Sequence, residues 1–148
     1  MKTPWAEILL VEDNPADVEL TLRSLEKNRV ANRISVVRDG EEALDFLFCR
    51  GVHADRTGSA LPNLILLDLK LPKVDGLEVL RQVKSDARTR SIPVVILTSS
   101  TEERDLVSSY NLGANSYIQK PVDLDGFMKA IEHLNGYWFE VVILPQEK

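Results

Sequence analysis

Several residue types are scarce in this sequence, and each shortage excludes a class of protein. A single cysteine, Cys49, rules out an intramolecular disulfide bond and fits a reducing compartment. No apolar run exceeds five residues, and the first five residues lack the apolar stretch of a secretory signal. Acidic residues outnumber basic ones, 23 against 18, and the net charge of -5 does not favour nucleic-acid binding. We therefore expect a cytoplasmic protein that binds neither membranes nor nucleic acids.

What remains is the composition of a globular domain, with 44% apolar and 28% charged residues in a chain of 148. Short apolar blocks alternate along it with longer amphipathic segments. Three of the blocks are unbroken aliphatic runs, as expected of parallel strands buried on both faces. The predicted strands are Ile8–Val11, Ile34–Val37, Leu64–Leu67, Val94–Leu97 and Ser116–Ile118.

Helix starts are marked between these blocks. Asn14 precedes Pro15 as a cap before a first-turn proline. Three pairs have the spacing of capping boxes, namely Asp39 with Glu42, Asp75 with Glu78 and Ser100 with Glu103. Five strands alternating with five helices predict an α/β fold with a doubly wound parallel sheet in the order 2-1-3-4-5, as in flavodoxin-like proteins. The loop Arg50–Pro62 is long, and we expect it to be mobile or to serve in docking.

Polar residues follow four of the predicted strands, where an open α/β sheet binds its ligands. They are Glu12, Asp13, Asp68, Thr98 and Lys120. Each one alone is also typical of an ordinary loop, cap or turn. In the expected strand order, however, three carboxylates, a hydroxyl and an ammonium group converge on one edge of the sheet.

This combination of groups indicates a particular chemistry. Three neighbouring acids repel one another unless a cation lies among them, and oxygen ligands suit Mg²⁺. Both histidines, His53 and His133, lie elsewhere in the sequence, which disfavours zinc. An aspartate beside Mg²⁺ can attack phosphorus, while a lysine and a threonine stabilise the phosphoryl oxygens.

At this point the sequence resembles the receiver domains of two-component response regulators, which have a CheY-like fold. Five motifs occur in the family's order over about residues 6–134. They are Leu9-Leu10-Val11-Glu12-Asp13-Asn14, Leu67-Asp68-Leu69-Lys70-Leu71-Pro72 with Asp75-Gly76, Leu97-Thr98-Ser99, Gly113-Ala114-Asn115-Ser116-Tyr117 and Lys120-Pro121. Each motif alone is weak, whereas the ordered set is specific.

The resemblance implies a role for each matching residue. Asp68 corresponds to the phosphoacceptor, and Glu12 and Asp13 to the acidic pair of the Mg²⁺ site. The backbone carbonyl of Lys70 would be a further ligand beside Asp68.

The remaining positions concern the phosphoryl group and the response to it. Thr98 would contact the phosphoryl group and Lys120 would pair with one of its oxygens, with the Lys120–Pro121 bond cis. Tyr117 resembles the switch aromatic that moves inward with Thr98. Lys70 and Ser100 occupy positions that tune dephosphorylation in relatives.

The resemblance also implies partners. A sensor histidine kinase would donate the phosphoryl group, and an unidentified downstream protein would read the switched face. The long loop and the ending Tyr137-Trp138-Phe139 to Leu144-Pro145 resemble small receivers that partner bacterial phytochrome kinases. We therefore predict a receiver domain over residues 1–134 and an extension over residues 135–148. The extension either folds back on the domain or forms a homodimer contact.

Other functions remain open beside the main prediction. A phosphorelay shuttle and a receiver that only binds partners would share this sequence pattern. An aspartyl-phosphate phosphatase usually has a second acid two residues after its nucleophile, where this chain has Lys70. A flavodoxin-like FMN protein needs a phosphate-binding loop after the first strand, where Glu12 and Asp13 would repel the cofactor. We therefore expect a phosphoacceptor that catalyses its own phosphorylation and dephosphorylation, and not a conventional enzyme.

Overall fold

Five strands and five α-helices alternate in the computed structural model, which describes residues 6–27, 32–56, 58 and 61–132. The strands are β1 (Ala6–Val11), β2 (Asn32–Val37), β3 (Leu64–Asp68), β4 (Val94–Thr98) and β5 (Ser116–Gln119). The helices are α1 (Pro15–Lys27), α2 (Gly40–Phe48), α3 (Gly76–Ser85), α4 (Thr101–Tyr110) and α5 (Leu124–Glu132). Each strand contains the apolar block that predicted it.

The strands form one parallel sheet in the order β2-β1-β3-β4-β5, which confirms the predicted topology. Every residue of β3 and β4 is buried, as their unbroken apolar runs require. Because the strands are parallel, their carboxyl ends share one edge, and this edge carries the predicted polar residues.

The sheet separates two apolar layers. On one face, Val18 and Leu25 of α1 and Phe127 of α5 pack against the sheet. On the other face the packing residues come from α2, α3 and α4, among them Leu44, Leu80 and Val107. Successive strand residues face opposite layers, so Leu97 belongs to the first layer and Ile96 to the second.

The predicted caps form, although the returning bonds of the capping boxes differ from the usual pattern. Asp39, Asp75 and Ser100 accept hydrogen bonds from the N–H groups three residues later, at 2.7, 3.0 and 3.1 Å. The returning bonds of Glu42 and Glu103 reach the N–H of the residue before the cap, Arg38 and Ser99 respectively. Glu78 instead binds side chains of its own helix.

The long connection after α2 contains a 3-10 helix, Gly51–Arg56, in place of a featureless loop. Its contacts are with α2. The Arg56 guanidinium lies 3.6 Å from the centre of the Phe46 ring and donates to the Phe46 carbonyl oxygen at 2.7 Å. His53 Nε2 lies 3.0 Å from Glu42 Oε2. These contacts hold Gly51–Arg56 against α2, and the prediction that the loop Arg50–Pro62 is mobile or serves in docking stays a prediction.

The predicted extension over residues 135–148 and His133 lie outside the described residues, and the proposed dimer contact lies there too. In the part of the chain that the structure describes, none of the helices has the length and apolar character of a membrane span.

Candidate functional site

Glu12 and Asp68 lie side by side at the ends of neighbouring strands. Val11 pairs with Leu67 in the parallel register, so the residues that follow each of them meet at the edge of the sheet. Both carboxyl groups are buried, whereas Asp13 is exposed. One carboxylate oxygen from each of Glu12, Asp13 and Asp68 lies within 4.8 Å of the other two. The structure therefore assembles the predicted acidic cluster.

Lys120 reaches into this cluster from the end of β5. Its Nζ lies 3.2 Å from Glu12 Oε1 and 3.2 Å from Asp68 Oδ1. A third carboxylate, that of Asp17 in the first turn of α1, lies 3.1 Å away. The positive charge of Lys120 thus offsets part of the negative charge of these carboxylates.

The electrostatics of the cluster follow from burial and crowding. Burial, together with the charge of Asp68, raises the pKa of Glu12 to about 7. Burial also raises the pKa of Asp68, although Lys120 opposes the shift. Both carboxyl groups therefore bind protons more readily than exposed acids do, and a bound cation would favour their charged forms.

The same contacts keep the Lys120 side chain positively charged. Burial alone would lower the pKa of this ammonium group. The hydrogen bond to Asp17 and the charges of Asp68 and Glu12 outweigh that effect and raise the pKa above its ordinary value. Lys120 consequently stays charged throughout the physiological range and can stabilise an anion bound at Asp68.

The donor set fits a hard divalent cation such as Mg²⁺. The three side-chain ligand candidates are carboxylates, and they lie close enough to share one ion. Histidine, a common zinc ligand, does not contribute among the described residues, since His53 is bonded to Glu42. The backbone carbonyl of Lys70 is two residues beyond Asp68, in the loop that continues from β3.

Thr98 and Lys120 are held together across the last two strands. The backbone N–H of Lys120 donates to the Thr98 carbonyl oxygen at 2.7 Å, and the Lys120–Pro121 peptide bond is cis, as predicted. Thr98 is buried at the end of β4. It directly follows Leu97, the residue of β4 that pairs with Asp68. The predicted hydroxyl therefore lies at the same edge as the acids.

Tyr117 lies further from the edge than the other predicted residues. It pairs with Ile96, two residues before Thr98, and therefore faces the same side of the sheet as Thr98. Its half-buried ring packs in the layer formed by α2, α3 and α4. The Arg104 guanidinium of α4 lies 5.0 Å from the centre of this ring, within the range of a cation–π contact.

The Lys70 side chain points away from the acids towards α4. Its Nζ lies 3.8 Å from Glu103 Oε2 and is largely exposed, whereas Glu103 is largely covered. Ser99 donates its backbone N–H to the other oxygen of the same carboxylate at 2.8 Å. Glu103 therefore joins the loops after β3 and β4.

Sequence reasoning missed three residues of the site, Asp17, Glu103 and Arg104. Asp17 is an acid in the first turn of α1, and nothing in the local sequence indicated that Lys120 would contact it. Glu103 was recognised only as a capping residue. Nothing in the local sequence indicated that Arg104 would lie over Tyr117.

Comparison with known proteins finds similar sequences and structures over most of the chain. A sequence model of the family described as "Response regulator receiver domain" matches residues 8–132. The structure of the bacteriophytochrome response regulator AtBRR is similar, with a TM-score of 0.86 and 52% sequence identity. That similarity covers 97% of this chain and 99% of AtBRR.

Two further relatives cover most of the chain. The probable methanogenesis regulatory protein FilR2 of Methanothrix harundinacea is 46% identical over 88% of this chain and 82% of its own length. Response regulator Rcp1 of Synechocystis sp. is 41% identical over 96% of this chain and 95% of its own length. The crystal structure of the Mn²⁺-bound form of Rcp1 gives a TM-score of 0.72 at 40% identity, over 95% of this chain and 99% of that one.

Proposed function

This chain belongs to the family of response regulator receiver domains, and from that premise we propose that Asp68 accepts a phosphoryl group from a sensor histidine kinase. The observation that carries the proposal is the contact of Asp68 Oδ1 with Lys120 Nζ at 3.2 Å, beside the carboxylates of Glu12 and Asp13. A carboxylate with a fixed cation on one side and candidate metal ligands on the other suits attack on phosphorus.

In the transfer, a carboxylate oxygen of Asp68 forms a bond to phosphorus while the phosphorus–nitrogen bond of the donor phosphohistidine breaks. The electron pair of that bond stays on the histidine nitrogen, which takes up a proton. The Lys120 ammonium group stabilises the negative charge of the phosphoryl oxygens, and the Thr98 hydroxyl donates a hydrogen bond to one of them. These residues orient the phosphoryl group and stabilise its charge.

Mg²⁺ is the resident ion that the donor set fits best. Glu12, Asp13 and Asp68 would hold it through carboxylate oxygens, and Lys70 through its backbone carbonyl. When bound, such an ion neutralises charge on the phosphoryl oxygens. The existence of a Mn²⁺-bound form of the relative Rcp1 supports the binding of a divalent ion.

The switch consists of Thr98 and Tyr117. Thr98 follows the phosphoryl group, and the Tyr117 ring moves into the space that Thr98 leaves on the same side of the sheet. The movement alters the surface formed by α4, β5 and α5, which a downstream protein reads. Output through protein contact requires no enzymatic turnover of a free substrate.

The kinase is a bacterial phytochrome or a relative of one. The support is the similarity to AtBRR, a bacteriophytochrome response regulator, at 52% identity over 97% of this chain. Phosphotransfer from such a kinase would take place in the cytoplasm. A phosphorelay shuttle would use the same residues and would pass the phosphoryl group on to a second histidine.

The extension over residues 135–148 is the proposed homodimer contact, because it adds a cluster of apolar side chains after α5. Deleting residues 137–148 and measuring the mass in solution by light scattering tests this proposal. A dimer that becomes a monomer supports it, and an unchanged oligomeric state contradicts it.

The decisive experiment is the intact mass after incubation with acetyl phosphate, with and without Mg²⁺. Wild-type protein should gain one phosphoryl group only with Mg²⁺, and Asp68→Asn should gain none. Asp105→Asn is the matched control, because it changes an exposed aspartate on α4 outside the acidic cluster. A gain by Asp68→Asn equal to that of the wild type would overturn the assignment of Asp68.

A further inference from the structure

Asp17 contacts the ammonium group of the site, although it is not part of the acidic cluster. Its Oδ2 lies 3.1 Å from Lys120 Nζ, as close as the nearest oxygens of Glu12 and Asp68, which both lie at 3.2 Å. The contact joins the first turn of α1 to the residue after β5. Asp17 is thus the third carboxylate in contact with the Lys120 ammonium group.

The start of α1 explains why the Asp17 carboxylate is available. Asn14 caps the helix by accepting hydrogen bonds from the N–H groups of Ala16 at 2.9 Å and Asp17 at 3.1 Å. In a capping box, the acid at the position of Asp17 would accept the N–H of the cap residue. The Asn14 N–H instead donates to Glu12 Oε2 at 3.2 Å. Glu12 thus replaces Asp17 at the helix start.

The number of hydrogen-bond donors on Lys120 limits what it can bind. An ammonium group has three N–H donors, and three carboxylates lie within 3.2 Å of Lys120 Nζ. The contacts with Glu12 and Asp17 are hydrogen bonds, and the contact with Asp68 is an ion pair. A phosphoryl oxygen can therefore approach Lys120 closely only when the ammonium group turns away from at least one of these carboxylates. Glu12 belongs to the acidic cluster and Asp68 is the acceptor, whereas Asp17 is the one partner without another part in the transfer.

We propose that Asp17 is a positioning residue that restrains Lys120 and thereby slows phosphorylation of Asp68, an inference that rests on the proposed function. An asparagine at this position keeps the shape of the side chain but forms a weaker, singly charged hydrogen bond with the lysine. Asp17→Asn should therefore release Lys120 to the incoming phosphoryl group. We expect phosphorylation to become faster by about fivefold, the effect of weakening one charge-assisted hydrogen bond.

The test compares wild-type protein, Asp17→Asn and Glu19→Gln. Glu19 is exposed on the same helix and pairs with Arg23 at 2.7 Å, so Glu19→Gln removes the same charge without touching Lys120. Initial rates are measured by intact mass with acetyl phosphate and saturating Mg²⁺, and melting temperatures verify that both variants fold. Asp17→Asn should be phosphorylated faster than the wild type and Glu19→Gln, whose initial rates should be equal.

A second measurement tests directly whether Asp17 restrains the Lys120 ammonium group. In protein labelled with ¹⁵N-lysine, the Lys120 ammonium signal is assigned from its loss in Lys120→Arg. Its protons should exchange with water faster in Asp17→Asn than in the wild type, and Glu19→Gln should leave the exchange unchanged.

The outcomes separate this inference from the proposed function. If wild-type protein gains no phosphoryl group, the proposed function fails. If wild-type protein is phosphorylated but Asp17→Asn is no faster than Glu19→Gln, or is slower, only the role of Asp17 is overturned. Unchanged ammonium exchange in Asp17→Asn would also overturn it.

Discussion

A β-carbon at Gly76 would overlap the backbone carbonyl oxygen of Asp68 and would come 2.6 Å from the Cα of Leu69. The first residue of α3 therefore packs directly on the strand end that carries the central carboxylate. The Gly76 N–H also donates to the Leu69 carbonyl oxygen at 2.9 Å. Only glycine permits this approach, and the geometry of Asp68 depends on it.

Gly76→Ala should displace the loop after β3 and slow phosphorylation of Asp68. Overpacking of this kind lowers the free energy of unfolding by about 1–3 kcal/mol. Urea unfolding and the phosphorylation rate with acetyl phosphate measure the two effects. Gly126→Ala in α5 is the control, because its β-carbon would meet only side-chain atoms, the nearest at 3.2 Å. Equal behaviour of the two variants would contradict the role of Gly76.

Asp68→Asn should make the metal-free protein more stable. Burial raises the pKa values of both Asp68 and Glu12, and the charge of Asp68 raises that of Glu12 further, so the charged forms oppose folding at neutral pH. Removing one charge should raise the free energy of unfolding by about 1–2 kcal/mol at pH 8, a size typical of substitutions that relieve strain at functional sites. Urea unfolding without Mg²⁺ measures this, with Asp105→Asn as an exposed control. A loss of stability would mean that the ion pair with Lys120 outweighs the repulsion.

Mg²⁺ affinity should fall as the solution becomes more acidic. Glu12 binds a proton with a pKa of about 7, and the proton competes with the cation for the same carboxylate. Between pH 8 and pH 6 the affinity should decrease roughly tenfold, because the group passes from largely charged to largely protonated. Isothermal titration calorimetry at several pH values measures the change. In Glu12→Gln the affinity is lower throughout, and its dependence on pH in this range should be much weaker.

Arg104→Ala should release the Tyr117 ring towards the interior. The cation–π contact at 5.0 Å contributes about 0.5–1 kcal/mol to the conformation seen here, as is usual at exposed sites. Fluorotyrosine NMR of unphosphorylated protein should show the Tyr117 signal shifted towards its position in phosphorylated protein. Arg104→Lys retains the cation and should shift the signal less. A signal that is identical in all three proteins would show that Arg104 does not restrain the ring.

The parts of the fold that the sequence predicts are those with local signals. Unbroken aliphatic runs such as Leu64–Leu67 occur in fully buried parallel strands, and the structure confirms each of the five strands and their order. The position of Glu12 beside Asp68 also follows from the sequence. Both residues come directly after predicted strands, and the strand order then makes them neighbours.

The parts that the sequence does not predict depend on contacts between distant segments. The 3-10 helix Gly51–Arg56 forms where Arg56 stacks on Phe46, and no periodic pattern of apolar residues indicates this. Asp17 is an ordinary acid in the first turn of a helix until the fold brings Lys120 to it. Contacts of this kind depend on tertiary packing, which propensity and periodicity do not describe.

The division of the core by the sheet has an evolutionary consequence. Ile96 and Tyr117 face the layer of α2, α3 and α4, whereas Leu97 and Ile118 face the layer of α1 and α5. The backbone of the sheet separates a substitution in one layer from a substitution in the other. The effects of two such substitutions on the free energy of unfolding should therefore be nearly additive. Selection can therefore remodel the layer under α4 and its surface while the layer under α1 and α5 stays unchanged.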